Sequence, residues 1–143
     1  MVAVLEEGSD EPAISLVSLD LGGLVPLAAI GYGDLDRARN LAWEVPGMYN
    51  DLHQGLPGWN RASRNLYEEQ VGLLDAAGRS AEGTGLISFL SYDTPNLGTV
   101  LSARTAHDAA PRLAVELDGG HVARQAAGQA GESPPSQSVV AHS

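Results

Sequence analysis

Apolar and polar residues alternate from Ile14 to Leu21 (ISLVSLDL), the period-two pattern of a half-buried strand. Gly22-Gly23 predicts a tight two-residue turn, and Leu24 to Ile30 (LVPLAAI) a returning strand, so the ordered chain opens on a β-hairpin. Pro26 has no N–H to give to a ladder, which sets this strand near an edge or at a bulge. Gly31 to Asp36 reads as a turn, with a short helical segment at Asp34 to Arg39. Asn40 to Val45 (NLAWEV) predicts a third strand, stopped by Pro46-Gly47. Residues 47–58 then carry the Gly, Pro, Asn and Asp chemistry of a loop.

From Asn60 to Ala77 the period lengthens to that of a helix. Leu66, Gln70, Leu73 and Ala77 share one face with Tyr67, Val71 and Leu74, while Arg61, Arg64, Glu68, Glu69 and Asp75 lie elsewhere. After a loop at residues 78–85, Leu86 to Tyr92 (LISFLSY) has the nearly continuous apolar character of a strand buried on both faces. Asp93-Thr94-Pro95 ends it. A second helical region is predicted over residues 99–127, with breaks near Pro111 and at Gly119-Gly120. Residues 128–137 form a breaker-rich connection, and Ser138 to Ala141 a last strand. The order β-β-β-α-β-α-β predicts an α/β fold with a mixed, mostly parallel sheet. The expected spatial strand order is 1-2-4-3-5, with the two helices on opposite faces.

Composition narrows the function. The 143 residues suit one domain, and 43% hydrophobic content excludes disorder throughout. Residues 1–14 read as an acidic leader, expected to be disordered, and residues 15–143 as the domain. The net charge of −10 comes without a single lysine, so neither nucleic acid nor an anionic membrane would find a basic patch. There are no cysteines, hence no disulfides, thiolate metal sites or cysteine nucleophiles. No apolar run approaches the ~20 residues that span a bilayer, and the start lacks a signal-peptide pattern. A cytoplasmic location is the default expectation. His53, His107, His121 and His142 show no metal-ligand spacing and read as solvated surface residues, so no metal or other cofactor is expected. Gly31-Tyr32-Gly33 lacks the third glycine of a dinucleotide fingerprint.

Three short segments carry candidate chemistry. In a nucleophile elbow a buried strand ends in a strained turn that lifts a Ser above the sheet, with small residues two before and two after it. Val139-Val140-Ala141-His142-Ser143 offers the strand, the small residue Ala141 and the Ser; taken alone it is weak evidence, and its ordinary reading is a polar tail. Val45-Pro46-Gly47-Met48 ends the third strand in a loop able to donate a backbone N–H from Gly47 or Met48 to an oxyanion, or is an ordinary strand-ending turn. Asp93 sits at the C-terminal end of a parallel strand, where ligands bind in open α/β sheets, or caps the next turn.

Taken together these pieces resemble the α/β-hydrolase family, and within it a poorly characterised branch common in high-GC bacteria of actinobacterial type. That branch carries V-P-G after strand three, an aromatic-Asp-x-Pro segment after strand four and a G-H-S-Y-G elbow after strand five. The matching residues are Val45-Pro46-Gly47, Tyr92-Asp93-Thr94-Pro95 and Ala141-His142-Ser143, with Gly33-Asp34-Leu35-Asp36-Arg37-Ala38 ahead of strand three. The likeness covers residues 15–143. It departs from the pattern at Ala141, where Gly is usual, at Ser91, where Gly is common, and at Tyr49-Asn50, where small residues are usual. The resemblance implies acyl hydrolysis of a small-molecule ester or similar substrate, with Ser143 as nucleophile and Gly47 or Met48 in the oxyanion hole. A base His and an acid would lie beyond Ser143, so the chain is expected to be the N-terminal portion of such a domain and inactive alone. Two alternatives stand beside it: an acidic α/β module that binds without chemistry, and half of an enzyme completed by a second chain.

Overall fold

The segment from Asn40 onward alternates strand and helix, and a helix between two strands returns the chain to the same end of the sheet, so those strands run parallel. The computed structural model describes residues 12–22, 27–47, 56–80, 83–90, 104–127 and 136–142. Its elements are β1 (Ile14–Asp20), β2 (Leu27–Tyr32), β3 (Asn40–Val45), α1 (Leu56–Ala76), β4 (Thr84–Leu90), α2 (Arg104–Ala127) and β5 (Ser136–Ala141). They form one mixed sheet in the order β1-β2-β4-β3-β5, as the pattern predicts. β1 and β2 are antiparallel, β2 is antiparallel to β4, and β3 runs parallel to both β4 and β5.

The hairpin differs from its expectation. Asp20 pairs with Leu27, leaving residues 21–26 as the connection rather than Gly22-Gly23 alone; Pro26 lies outside the described residues. A bulge between Leu16 and Ser18 absorbs the mismatch in β1. Ahead of β1, the Ala13 carbonyl accepts the Gly33 N–H at 2.8 Å. Residues 34–39 form a turn and no helix: Asp34 accepts the Arg37 and Ala38 N–H groups with its side chain and carbonyl, and the chain re-enters the sheet at Asn40.

Along β3 and β4 successive side chains point to opposite faces. On one face Ala29, Leu41, Trp43, Ile87 and Phe89 form a cluster against Leu113 and Leu117 of α2, with the Trp43 and Phe89 rings edge to face at 6.4 Å. On the other, Tyr32, Ala42 and Leu86 pack against Leu66 and Tyr67 of α1. All seven residues of β4 are buried, in keeping with a strand covered on both sides; Ser91 and Tyr92 lie outside the described residues.

Both helices depart from their expected outlines. α1 begins at Leu56, with Pro57 in its first turn where a missing N–H costs nothing, and its buried face is built on Trp59 and Ser63. Leu73, expected on the apolar face, is 69% exposed; with Gln70 and Leu74 it lines an open cavity beside Ala42 and Thr84. α2 runs without a break through Pro111 and Gly119-Gly120. Pro111 is exposed, so water can take the carbonyl it leaves without a helical donor. Gly120 faces Trp43, where a Cβ would stand 3.3 Å from the indole Cζ2. Arg112 of α2 pairs with Asp20 of β1 at 3.3 Å, and the buried Arg124 donates to the Ala38 carbonyl, its guanidinium pKa lowered by burial. Among the described residues no helix is long and apolar enough to cross a membrane.

Candidate active site

The parallel strands β3, β4 and β5 present their C-terminal ends on one edge of the sheet, the edge at which α/β folds bind ligands. Val45 is in register with Ala141, and the His142 N–H donates to the Val45 carbonyl at 3.0 Å. The pairing therefore carries one residue past β5 and sets His142 beside the buried Pro46-Gly47 segment that leaves β3. Of the expected site residues only Gly47 falls among the described ones, and it is buried. Ser143, Met48 and Asp93 lie outside the described residues.

Beneath this edge, on the α1 face, runs a chain of polar groups in the core. The Trp59 indole N–H donates to Ser88 Oγ at 2.5 Å, and Ser63 Oγ lies 3.1 Å from Ser88 Oγ and 2.5 Å from Glu44 Oε2. Ser63 has one hydroxyl proton, which goes to the carboxylate, so Ser88 donates to Ser63. The order of donation is then Trp59 to Ser88 to Ser63 to Glu44, each bond polarising the next in a low-dielectric setting. Glu44 Oε1 stands 3.3 Å from His142 Nε2, and the His142 ring meets Trp59 edge to face at 5.3 Å. The ring of contacts thus closes on itself, linking β3, β4, α1 and the residue after β5.

Tyr32 adjoins this ring and donates its hydroxyl to Asn60 Oδ1. Its pKa is pushed up to about 12, first by burial and then by the negative charge of Glu44. Ser63 and Ser88 are buried and committed to partners, which makes them structural hydroxyls and poor nucleophiles. His142, 47% exposed, is the member of the ring that meets solvent most openly.

His142 is exposed, as expected of a surface histidine, but the fold also brings it to a buried carboxylate that no local spacing foretells. His121 contacts Gln125 at 2.7 Å, His107 is exposed on α2, and His53 lies outside the described residues. Glu44, Ser63, Ser88 and Trp59 belong to no local sequence motif. A signal for them exists: Glu44 and Ser88 fall at inward positions of otherwise apolar strands, and Ser63 follows Trp59 by one helical turn. Buried polar side chains at such positions need one another.

The sequence profile of a family described as alpha/beta hydrolase matches residues 23–143. No match to the chain was found among curated proteins or among solved structures.

Proposed function

The chain belongs to the alpha/beta-hydrolase family, and on that premise we propose that it carries the nucleophile and part of the oxyanion loop of a serine hydrolase. Ser143 Oγ attacks the carbonyl carbon of an ester, thioester or amide in a small-molecule substrate. Its proton passes to a His base oriented by an Asp or Glu, and the carbonyl oxygen takes the negative charge. Backbone N–H groups hold that charge, one of them from Gly47 or Met48. Collapse expels the alcohol, thiol or amine, protonated by the same His, and water then releases the acid and regenerates Ser143.

The observation that carries this reading is the His142 N–H bond to the Val45 carbonyl, which aligns the end of β5 with the Pro46-Gly47 segment. His142 is not the base in this scheme, because its Nε2 is engaged by Glu44. The base and acid come from residues outside these 143, and the 143 residues alone are expected to turn over no substrate. The proposal extends to the high-GC bacterial branch whose V-P-G, Tyr-Asp-x-Pro and Ala-His-Ser pieces the chain carries, and to a cytoplasmic enzyme that needs no cofactor and engages neither nucleic acid nor membrane.

A fluorophosphonate probe tests it. In a form of the protein that also carries the acid and base, the probe is expected to label Ser143, and Ser143→Ala to abolish the label. The 143 residues alone are expected to label poorly. Labelling that survives Ser143→Ala overturns the proposal.

A further inference from the structure

Glu44 is a carboxylate with 2% of its side chain exposed, one residue from the end of a central strand. A buried carboxylate is costly unless both oxygens find donors. Oε2 has the Ser63 hydroxyl, inside the core. Oε1 has His142 Nε2, which belongs to a residue outside the last strand and half open to solvent. The core therefore demands that His142 stay in place, although burial of the ring itself would not hold it there.

Three contacts fix this one residue. Its backbone N–H is tied to Val45, its Nε2 to Glu44, and its ring lies nearly perpendicular to Trp59, at 88°. Trp59 is in turn anchored through Ser88 and Ser63 to the same carboxylate. His142 is thus pinned at backbone and side chain, and the residue that follows it in sequence is Ser143.

We propose that Glu44 is a positioning residue: its buried carboxylate orients the His142 ring and thereby sets the backbone that presents Ser143. This rests on the reading of Ser143 as the nucleophile. Glu44 touches no substrate. It acts through His142, and preorganisation of this kind contributes to rate by holding the reacting atom where it is needed.

Two measurements separate this proposal from the reading beneath it. The first uses the 143-residue chain with 15N-labelled histidine, and follows the His142 Nε2–H signal and its through-space contacts to Trp59. Both are expected in the wild type, lost in Glu44→Ala and kept in Glu44→Gln, which retains an acceptor oxygen. The Trp43 indole N–H, bonded to Gln137 on the opposite face, reports that the sheet is intact. Should Glu44→Ala fail to fold, Glu44→Asp keeps the charge but is one methylene too short to serve Ser63 and His142 together, and should lose the same signals. Contacts unchanged in the folded variant overturn the proposal.

The second measurement is the rate of fluorophosphonate labelling at Ser143 in the form that carries the acid and base. Glu44→Asp is expected to slow it roughly ten- to a hundredfold, and Glu44→Gln to restore it, with the Trp43 signal unmoved. A rate within twofold of wild type, with the His142 ring released, overturns the positioning role. Absence of any label on wild-type Ser143 would sink the nucleophile reading instead, and the Glu44–His142 link would then stand or fall on the first measurement.

Discussion

Trp43 on β3 donates its indole N–H to Gln137 Oε1 on β5 at 2.8 Å, across 94 residues of sequence. The Gln137 amide donates in turn to the Leu117 carbonyl of α2 at 3.4 Å, and Gly120 leaves room for the indole beneath the helix. One side chain thus ties the last strand to its neighbour and to the helix that precedes it. Gln137→Ala is expected to cost about 1–3 kcal/mol, because the buried indole N–H loses its partner. Urea unfolding measures the loss, and hydrogen exchange should show β5 amides losing more protection than those of β4. Equal loss in both strands would mean that Gln137 serves the sheet as a whole.

Tyr32 makes stability depend on alkaline pH. Its folded pKa of about 12 lies above the ordinary tyrosine value near 10, so below pH ~10 both states hold the proton and the contribution is complete. Between about 10 and 12 the unfolded chain releases the proton while the folded one keeps it, and stability falls by about 2–3 kcal/mol. Tyr32→Phe is expected to flatten this limb, with a residue from Tyr67, whose pKa is also raised by burial and by the nearby Asp34 charge. Melting curves collected from pH 8 to 12 on both proteins decide the matter. Parallel curves would show that Tyr32 is not the titrating group.

Gly33 is a position where only glycine fits. Its φ of +86° lies in the left-handed region, and a Cβ there would stand 2.6 Å from the Tyr67 hydroxyl oxygen. Gly33→Ala is expected to destabilise by about 1–3 kcal/mol. Adding Tyr67→Leu should recover the steric part and leave the backbone part, which a double-mutant cycle resolves. If the two substitutions simply add, the clash does not contribute.

Ser63 bridges Ser88 and Glu44, so its removal orphans both. Ser63→Ala is expected to cost about 2–4 kcal/mol, since a buried charge loses a hydrogen bond, whereas Ser88→Ala leaves the carboxylate bond intact and should cost less. Thermal melts of the two variants give the comparison. A larger loss for Ser88→Ala would reverse the direction of donation deduced for the chain.

β5 lies at the edge of the sheet order, and Val139, 48% exposed, stands on it. An edge strand with exposed apolar side chains pairs readily with another chain. Sedimentation velocity is expected to show self-association of the 143-residue chain, and Val139→Lys to shift it toward monomer. A wild-type chain that stays monomeric at all concentrations would show that this edge is protected.

Local pattern was enough for the strands and helices as kinds of element. The alternation in NLAWEV placed β3 at Asn40–Val45, where the structure has it, and the continuous run in LISFL marked β4 as buried on both faces. The order of elements implied the strand order, since parallel strands joined by helices have few ways to pack. The hairpin register was not fixed by its turn glycines, and the passage of α2 through Pro111 depended on a proline that faces water. The polar ring was decided by tertiary structure alone. Glu44 lies on β3 and His142 just past β5, strands that meet only once α2 has crossed the sheet, and Ser63 faces them only because α1 is turned with Trp59 inward. A charge at an inward strand position signals in the sequence that some partner exists. Which residue answers it is set by register and helix rotation, which no local window contains.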